Sequence, residues 1–240
     1  MEKIINYETL RRFAYSNDRL IVGKIRGILL EFTGLGGAKM HETDPGDSLE
    51  YAEQGIVHVI PYYNPWCWMN RQTVALVDEI VSVLGTHYDL GKDVPIVSSG
   101  GSMGGLSALV YTAYAAVTPV ACVANCPVCD LPYHFTERPD LPRTLYSAFA
   151  AEEGTMDDAL RAHSPLHLAD RMPDIPYTIF HCDADRSVNP EKHSVPFVEA
   201  MRPAHRIELI RIPLRGHCDL SPEARLRFRR TILQAFPEMN

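Results

Sequence analysis

Along this chain, short apolar runs alternate with longer stretches in which apolar positions recur at helical spacing. The short runs, rich in β-branched residues and bounded by Gly, Pro, Asn or Asp, read as buried strands at 20–25, 27–32, 56–60, 95–99, 119–124, 177–181 and 207–212. Between them, residues 71–84 place Val74, Val77, Ile80, Val81 and Leu84 on one helical face. A second helix covers the small-residue run 106–111. A closing helix spans 224–236, with Ser221 as N-cap and Pro222 at its first position. Strand and helix in alternation predict an α/β fold, a mostly parallel twisted sheet with helices on both faces. Residues 131–172 break the alternation with prolines, charges and helical pieces near 144–151 and 156–163. They predict a small helical cap inserted within a single domain spanning 1–240, positioned to enclose a substrate.

Candidate chemistry enters at Gly100-Gly101-Ser102-Met103-Gly104, between the strand at 95–99 and the helix that follows. A Gly-x-Ser-x-Gly there reads as a nucleophile elbow, a tight turn that holds one serine in a strained conformation with its hydroxyl exposed. Glycines two residues before and after leave room for the turn. Glycine-rich turns also cradle phosphates, but no Lys follows these glycines. The apolar sequence around Val120–Val123 supplies no acidic residue about 20 positions on, as a dinucleotide site requires.

An elbow needs an acid and then a histidine downstream. The strand at 177–181 ends in Cys182-Asp183-Ala184-Asp185, which offers two acids. The strand at 207–212 leads to Gly216-His217 ahead of the last helix. The chain order Ser, Asp, His, each at a strand end, is that of the α/β-hydrolase triad. A first oxyanion donor is expected from the amide of Met103. The second is expected from the glycine loop Thr33-Gly34-Leu35-Gly36-Gly37 after an early strand, on the amide of Leu35 or of Gly36. Tyr62, Tyr63, Trp66 and Trp68 follow another strand on the same edge and are expected to line a substrate pocket.

Several segments together resemble the catalytic domain of prolyl-oligopeptidase-type (S9) peptidases and their small esterase relatives, within the α/β-hydrolase fold. These are Gly-Gly-Ser-Met-Gly-Gly at 100–105, Pro127-Val128-Cys129-Asp130, Ser164-Pro165-Leu166, His181 through Val188, and Gly216-His217. The resemblance runs from about residue 20 to the C-terminus. It implies Asp185, not Asp183, as the acid. Cys182 stands where that group usually has Gly, and Thr33 where its loop usually has His.

Composition narrows the partners. A formal net charge of −7 gives no basic footprint for nucleic acid. No segment is long and apolar enough to suggest a membrane span, and the first residues lack the apolar core of a signal peptide, so a cytoplasmic location is expected. Arg225, Arg227, Arg229 and Arg230 are expected on the solvent face of the last helix. The six cysteines are expected as mostly free thiols. Cys126-Pro127-Val128-Cys129 has no second ligand pair at zinc spacing and does not open the first helix of a thioredoxin-like unit.

The sequence therefore predicts a serine hydrolase with Ser102 as nucleophile, His217 as base and Asp185 as its partner, needing no metal or organic cofactor. The expected partner is a small ester, with a short peptide as the alternative; a homo-oligomer is compatible with the chain. The S9 peptidases usually carry a gating propeller that this sequence lacks, which favours the ester. A hydrolase fold serving only to bind a ligand is the third reading.

Overall fold

Strands β2 (Gly27–Phe32), β3 (Ile56–Pro61), β4 (Ile96–Gly101), β5 (Ala121–Asn125), β6 (Tyr177–Cys182) and β7 (Ile207–Ile212), with a short β1 (Ala14–Ser16), form one sheet in the computed structural model. The structure describes residues 4–37, 39–91 and 93–237. The strand order is β1-β3-β2-β4-β5-β6-β7, parallel throughout except for β1, which runs antiparallel to β3. Helices α1 (Ser48–Glu53), α2 (Arg71–His87), α3 (Met103–Tyr114), α4 (Leu131–Glu137), α5 (Leu141–Phe149), α6 (Met156–Ala162), α7 (Pro165–Leu168), α8 (Ser194–Met201) and α9 (Pro222–Gln234) connect and flank the strands.

Central strands are near-continuous apolar runs because both of their faces are covered. Ile28, Leu30 and Phe32 pack into the larger core cluster with Val77, Ile80, Leu84, Leu109 and Phe197. Leu29, Val97, Val123 and Phe180 turn the other way, onto Tyr51, Ala224, Ile232 and Phe236. The alternation along the strands thus assigns α2, α3 and α8 to one face and α1 and α9 to the other. All five apolar positions predicted for α2 are buried.

One predicted strand is absent. Residues 20–25 do not join the sheet; the edge position beside β3 is taken by β1, and Asp18–Leu20 forms a 3₁₀ turn. The buried Asp18 carboxylate pins this turn. It accepts from Tyr7 Oη and Ser16 Oγ, both at 2.6 Å, and pairs with Arg11. Val22 is fully exposed and Gly23 has φ +109°, so the apolar run there does not reach the core. Residues 131–171 fold as four α-helices and a 3₁₀ turn, with the predicted pieces appearing as α5 and α6. Among the described residues no helix is long and apolar enough to cross a membrane.

The sheet and α3 meet very closely where the elbow lies. A Cβ on Gly104 would stand 2.1 Å from the Phe32 carbonyl oxygen, and one on Gly100 would stand 2.4 Å from the Gly104 carbonyl oxygen. Both contacts are with backbone, which cannot move aside as a flexible side chain does. Gly104→Ala is therefore expected to destabilise the protein by about 1–3 kcal/mol or more. Urea unfolding checks this, with the loss seen as a lower midpoint at unchanged slope.

Candidate active site

Ser102 sits between the last residue of β4 and the first of α3, with φ 59° and ψ −125°. A positive φ on a non-glycine residue costs roughly 1–3 kcal/mol and persists only where its surroundings enforce it. Here the Ser102 N–H donates to the Asn125 carbonyl at 2.9 Å, and its carbonyl accepts from Leu106 N–H at 3.1 Å. The turn is thus tied to β5 on one side and to the helix on the other.

Three side chains distant in sequence form one hydrogen-bonded chain. Ser102 Oγ lies 2.8 Å from His217 Nε2, and His217 Nδ1 lies 2.6 Å from Asp185 Oδ2. With the carboxylate accepting, Nδ1 carries the proton and Nε2 is the acceptor that faces the serine hydroxyl. The other Asp185 oxygen accepts the amides of Ser187 and Val188, each at 2.9 Å. His181 is buried beneath the acid loop. It donates from Nε2 to the Val188 carbonyl at 2.9 Å and accepts from Ser194 Oγ at 2.6 Å. Asp183, the competing acid, points away and pairs with Arg211 at the surface.

The electrostatics follow from these contacts. Burial raises the Asp185 carboxyl, but the His181 ring, 3.5 Å from Oδ2, and hydrogen bonds from His217 and the Val188 amide overcome it and hold the group well below the usual carboxylate range. Burial lowers His217, but the hydrogen bond and charge of Asp185 overcome that and raise it above its ordinary value of 6.5.

These groups open into a cleft of about 590 Å³ whose lining includes Ser102, His217, Gly34, Leu35 and Trp68. Gly34 lies close beneath the nucleophile; a Cβ there would be 3.8 Å from that of Ser102. Met103 opens α3, so its amide has no partner within the helix. The Leu35 amide makes no hydrogen bond among the described residues, whereas the Gly36 amide is spent on the Pro65 carbonyl at 3.0 Å. Of the two candidates for the second donor, Leu35 has its amide free and Gly36 does not. Of the four predicted pocket aromatics, only Trp68 lines the cleft. Tyr62, Tyr63 and Trp66 line a separate cavity of about 410 Å³; Tyr63 is buried in the core, with its Oη donating to the Thr33 carbonyl at 3.1 Å.

The cleft also holds residues that no motif marked. Glu31 projects from β2, while His134 and Arg138 come from α4 and the residue after it, so the helical segment builds one wall. His134 Nδ1 and His193 Nε2 both bond the same oxygen of Glu137, His193 at 3.0 Å. Burial raises the Glu137 carboxyl, but the two imidazoles overcome it and bring the group down to about 2. This cluster has metal-like spacing, but His193 Nδ1 accepts the amides of Cys129 and Asp130. His193 Nε2 must therefore carry the proton and has no lone pair for an ion. The thiols of the Cys126/Cys129 pair belong to different core clusters on opposite faces of the sheet, which does not suit a shared metal or a disulfide. Cys126 Sγ instead accepts the amides of Cys182 and Cys218 at 3.4 Å. Cys218 Sγ sits 3.8 Å from His217 Nε2.

No family model matches this sequence, and no curated protein matches it. The fold does match solved structures. Thermogutta terrifontis esterase 2 superposes with a TM-score of 0.62 at 20% identity, covering 92% of this chain and 86% of the esterase. Puromycin hydrolase gives 0.70 at 17% identity over 89% of this chain, and Pyrococcus horikoshii acylaminoacyl peptidase 0.67 at 13% over 88%. This chain spans only 34% and 37% of those two proteins. The chain has the α/β-hydrolase fold, in the form shared by these esterases and S9-type peptidase domains.

Proposed function

We propose that this protein is a serine hydrolase that cleaves small carboxylic esters through an acyl-enzyme. The observation that carries the reading is the continuous hydrogen-bonded chain from Ser102 Oγ through His217 to Asp185, mounted on a strained elbow. Ser102 Oγ attacks the ester carbonyl while His217 Nε2 takes its proton. The tetrahedral oxyanion accepts the amides of Met103 and Leu35. Its collapse breaks the C–O bond, and the leaving alkoxide takes the proton from His217. Water then attacks the acyl-serine with His217 again as base, returning the acid and the free hydroxyl. Asp185 fixes the tautomer and stabilises the imidazolium without itself taking the proton. The wall from α4 limits the volume for the acyl or alcohol part. The likeness to an esterase over 86% of that esterase's length supports an ester substrate.

A second reading, a peptidase acting on short peptides, is supported by the likeness to acylaminoacyl peptidase and puromycin hydrolase. The same groups would split an amide. Labelling by a fluorophosphonate probe, abolished in Ser102→Ala, is the expected result for either; a wild-type protein that does not label would refute both and leave a binding role. Parallel rates on p-nitrophenyl esters and aminoacyl-naphthylamides then separate them, with faster ester cleavage expected. Ser102→Ala is expected to lower kcat by about 10³-fold or more.

The pH profile is a further check. His217 must be neutral to accept the serine proton, and its pKa is raised. The acid limb of kcat/KM is therefore expected at a pH above 6.5, with activity falling as pH drops through it. Asp185→Asn removes the raising interaction, so the residual activity is expected to show that limb at lower pH, and to be reduced by about 10³–10⁴-fold. An unshifted limb would mean that Asp185 does not act on His217.

A further inference from the structure

We propose that Cys218 and Cys126 form a redox-active thiol pair beside His217, and that a hydroperoxide reaching the cleft closes them into a disulfide that disables the imidazole. The loss of activity rests on the serine-hydrolase reading; the pairing of the thiols does not.

The six cysteines divide between the two faces of the sheet, and all are free thiols. Cys67, Cys122 and Cys129 lie in the larger core cluster. Cys126 and Cys182 lie in the smaller one, with Cys218 packed against it. These three meet around Cys126, whose Sγ accepts the amides of Cys182 and Cys218, each at 3.4 Å. The backbone of Cys218 thus already rests on the Cys126 sulfur. Cys126 Sγ, Cys218 Sγ and a ring nitrogen of His217 all lie within 4.8 Å of one another. An S–S bond of roughly 2.0 Å therefore asks the two sulfurs to approach by less than about 3 Å.

The two thiols differ in access. Cys218 is half-buried and lines the cleft, whereas Cys126 is fully buried, so an oxidant entering the cleft meets Cys218 first. The Cys218 thiol has two proton acceptors in reach, the Asn125 carbonyl at 3.6 Å and His217 Nε2 at 3.8 Å. A thiol reacts as its thiolate, and the imidazole that faces Ser102 is placed to take this proton too. The neighbouring Cys218 thiol and burial push the Cys126 thiol up, which suits it to the second step and not the first. Cys182 is fully buried and pushed up to about 12 by burial and by Cys126.

In the first step Cys218 gives its proton to His217 Nε2 and its sulfur attacks one peroxide oxygen. An S–O bond forms and the O–O bond breaks. The departing oxygen takes the proton from His217 and leaves as an alcohol, or as water when the oxidant is hydrogen peroxide. The Cys126 sulfur then attacks the sulfenic acid. The S–S bond forms, the S–O bond breaks, and hydroxide leaves with the Cys126 proton as water. Two thiols give up two electrons and one hydroperoxide takes them. Closure draws the Cys218 sulfur from its seat against Gly101, where an added Cβ would stand 3.3 Å from it. Cys218 directly follows His217 and holds φ +55°, a conformation kept only while its surroundings enforce it, so the movement passes to the imidazole.

The test treats the reduced protein with hydrogen peroxide. Peptide mapping by mass spectrometry without reductant is expected to find Cys218 linked to Cys126. Rates of ester cleavage and of fluorophosphonate labelling are expected to fall together by about tenfold or more, since a misplacement of about 1 Å can cost about 100-fold. Dithiothreitol is expected to restore both. Cys218→Ser is expected to form no such bond and to keep its own untreated rates under peroxide. Cys126→Ala is expected to stop at the sulfenic acid, which dimedone traps at Cys218. No bond in the wild-type protein, or one joining Cys126 to Cys182, overturns the pairing. A Cys218–Cys126 bond with unchanged rates, or an equal loss in Cys218→Ser, overturns the effect on His217. Reduced protein that neither labels nor cleaves would refute the hydrolase reading, while the mapping still decides the thiol pair.

Discussion

The contact on which this molecule depends is the approach of the first turn of α3 to the end of β2, with no side chain between them. Gly104 rests against the Phe32 carbonyl, and Gly100 against the carbonyl of Gly104. That proximity forces the chain to reverse within one residue, and Ser102 takes up the reversal in a conformation that a non-glycine residue rarely adopts. Strain, exposure of the hydroxyl and the free amide at Met103 are one geometric fact seen three ways. It also brings the glycine loop after β2 beneath the nucleophile, so that Gly34 and Ser102 become neighbours without any direct bond between them.

Around this contact the polar groups are arranged in depth. His217 is held by Asp185, Asp185 by the Ser187 and Val188 amides, and the loop carrying them by the buried His181, which spans Val188 and Ser194. Each shell orients the one above it, the condition for a site whose groups are placed before substrate arrives. On the other side of the cleft, Glu137 locks His134 on α4 to His193 beyond the acid loop. The helical wall is therefore bonded to the same segment of chain, 185–193, that carries Asp185.

Much of this was legible in the sequence because it depends on local chemistry. A glycine–serine turn between a β-branched run and a small-residue run specifies the elbow, and a glycine–histidine pair after the last strand specifies where the base stands. The choice between Asp183 and Asp185 rested on resemblance, and the structure gives its physical reason: two amides cradle one carboxylate while Arg211 draws the other to the surface. What stayed hidden was non-local. The apolar residues at 21, 22 and 25 resemble a strand until Asp18 and its partners pin the chain before them. Tyr62, Tyr63 and Trp66 follow the right strand, but they line a neighbouring cavity and not the cleft itself. Glu31 lies within a strand pattern that only tertiary packing reveals as opening onto solvent, and His134 lies in a helix whose docking no periodicity announces.

In the proposed reaction the bond-making groups come from strand ends at 102, 185 and 217, whereas the His134 and Arg138 wall is carried by one continuous insertion between β5 and β6. On that reading, reaction and selectivity are written on separate stretches of the chain. Drift in those helices can retune which molecules fit while the serine, imidazole and carboxylate keep their spacing.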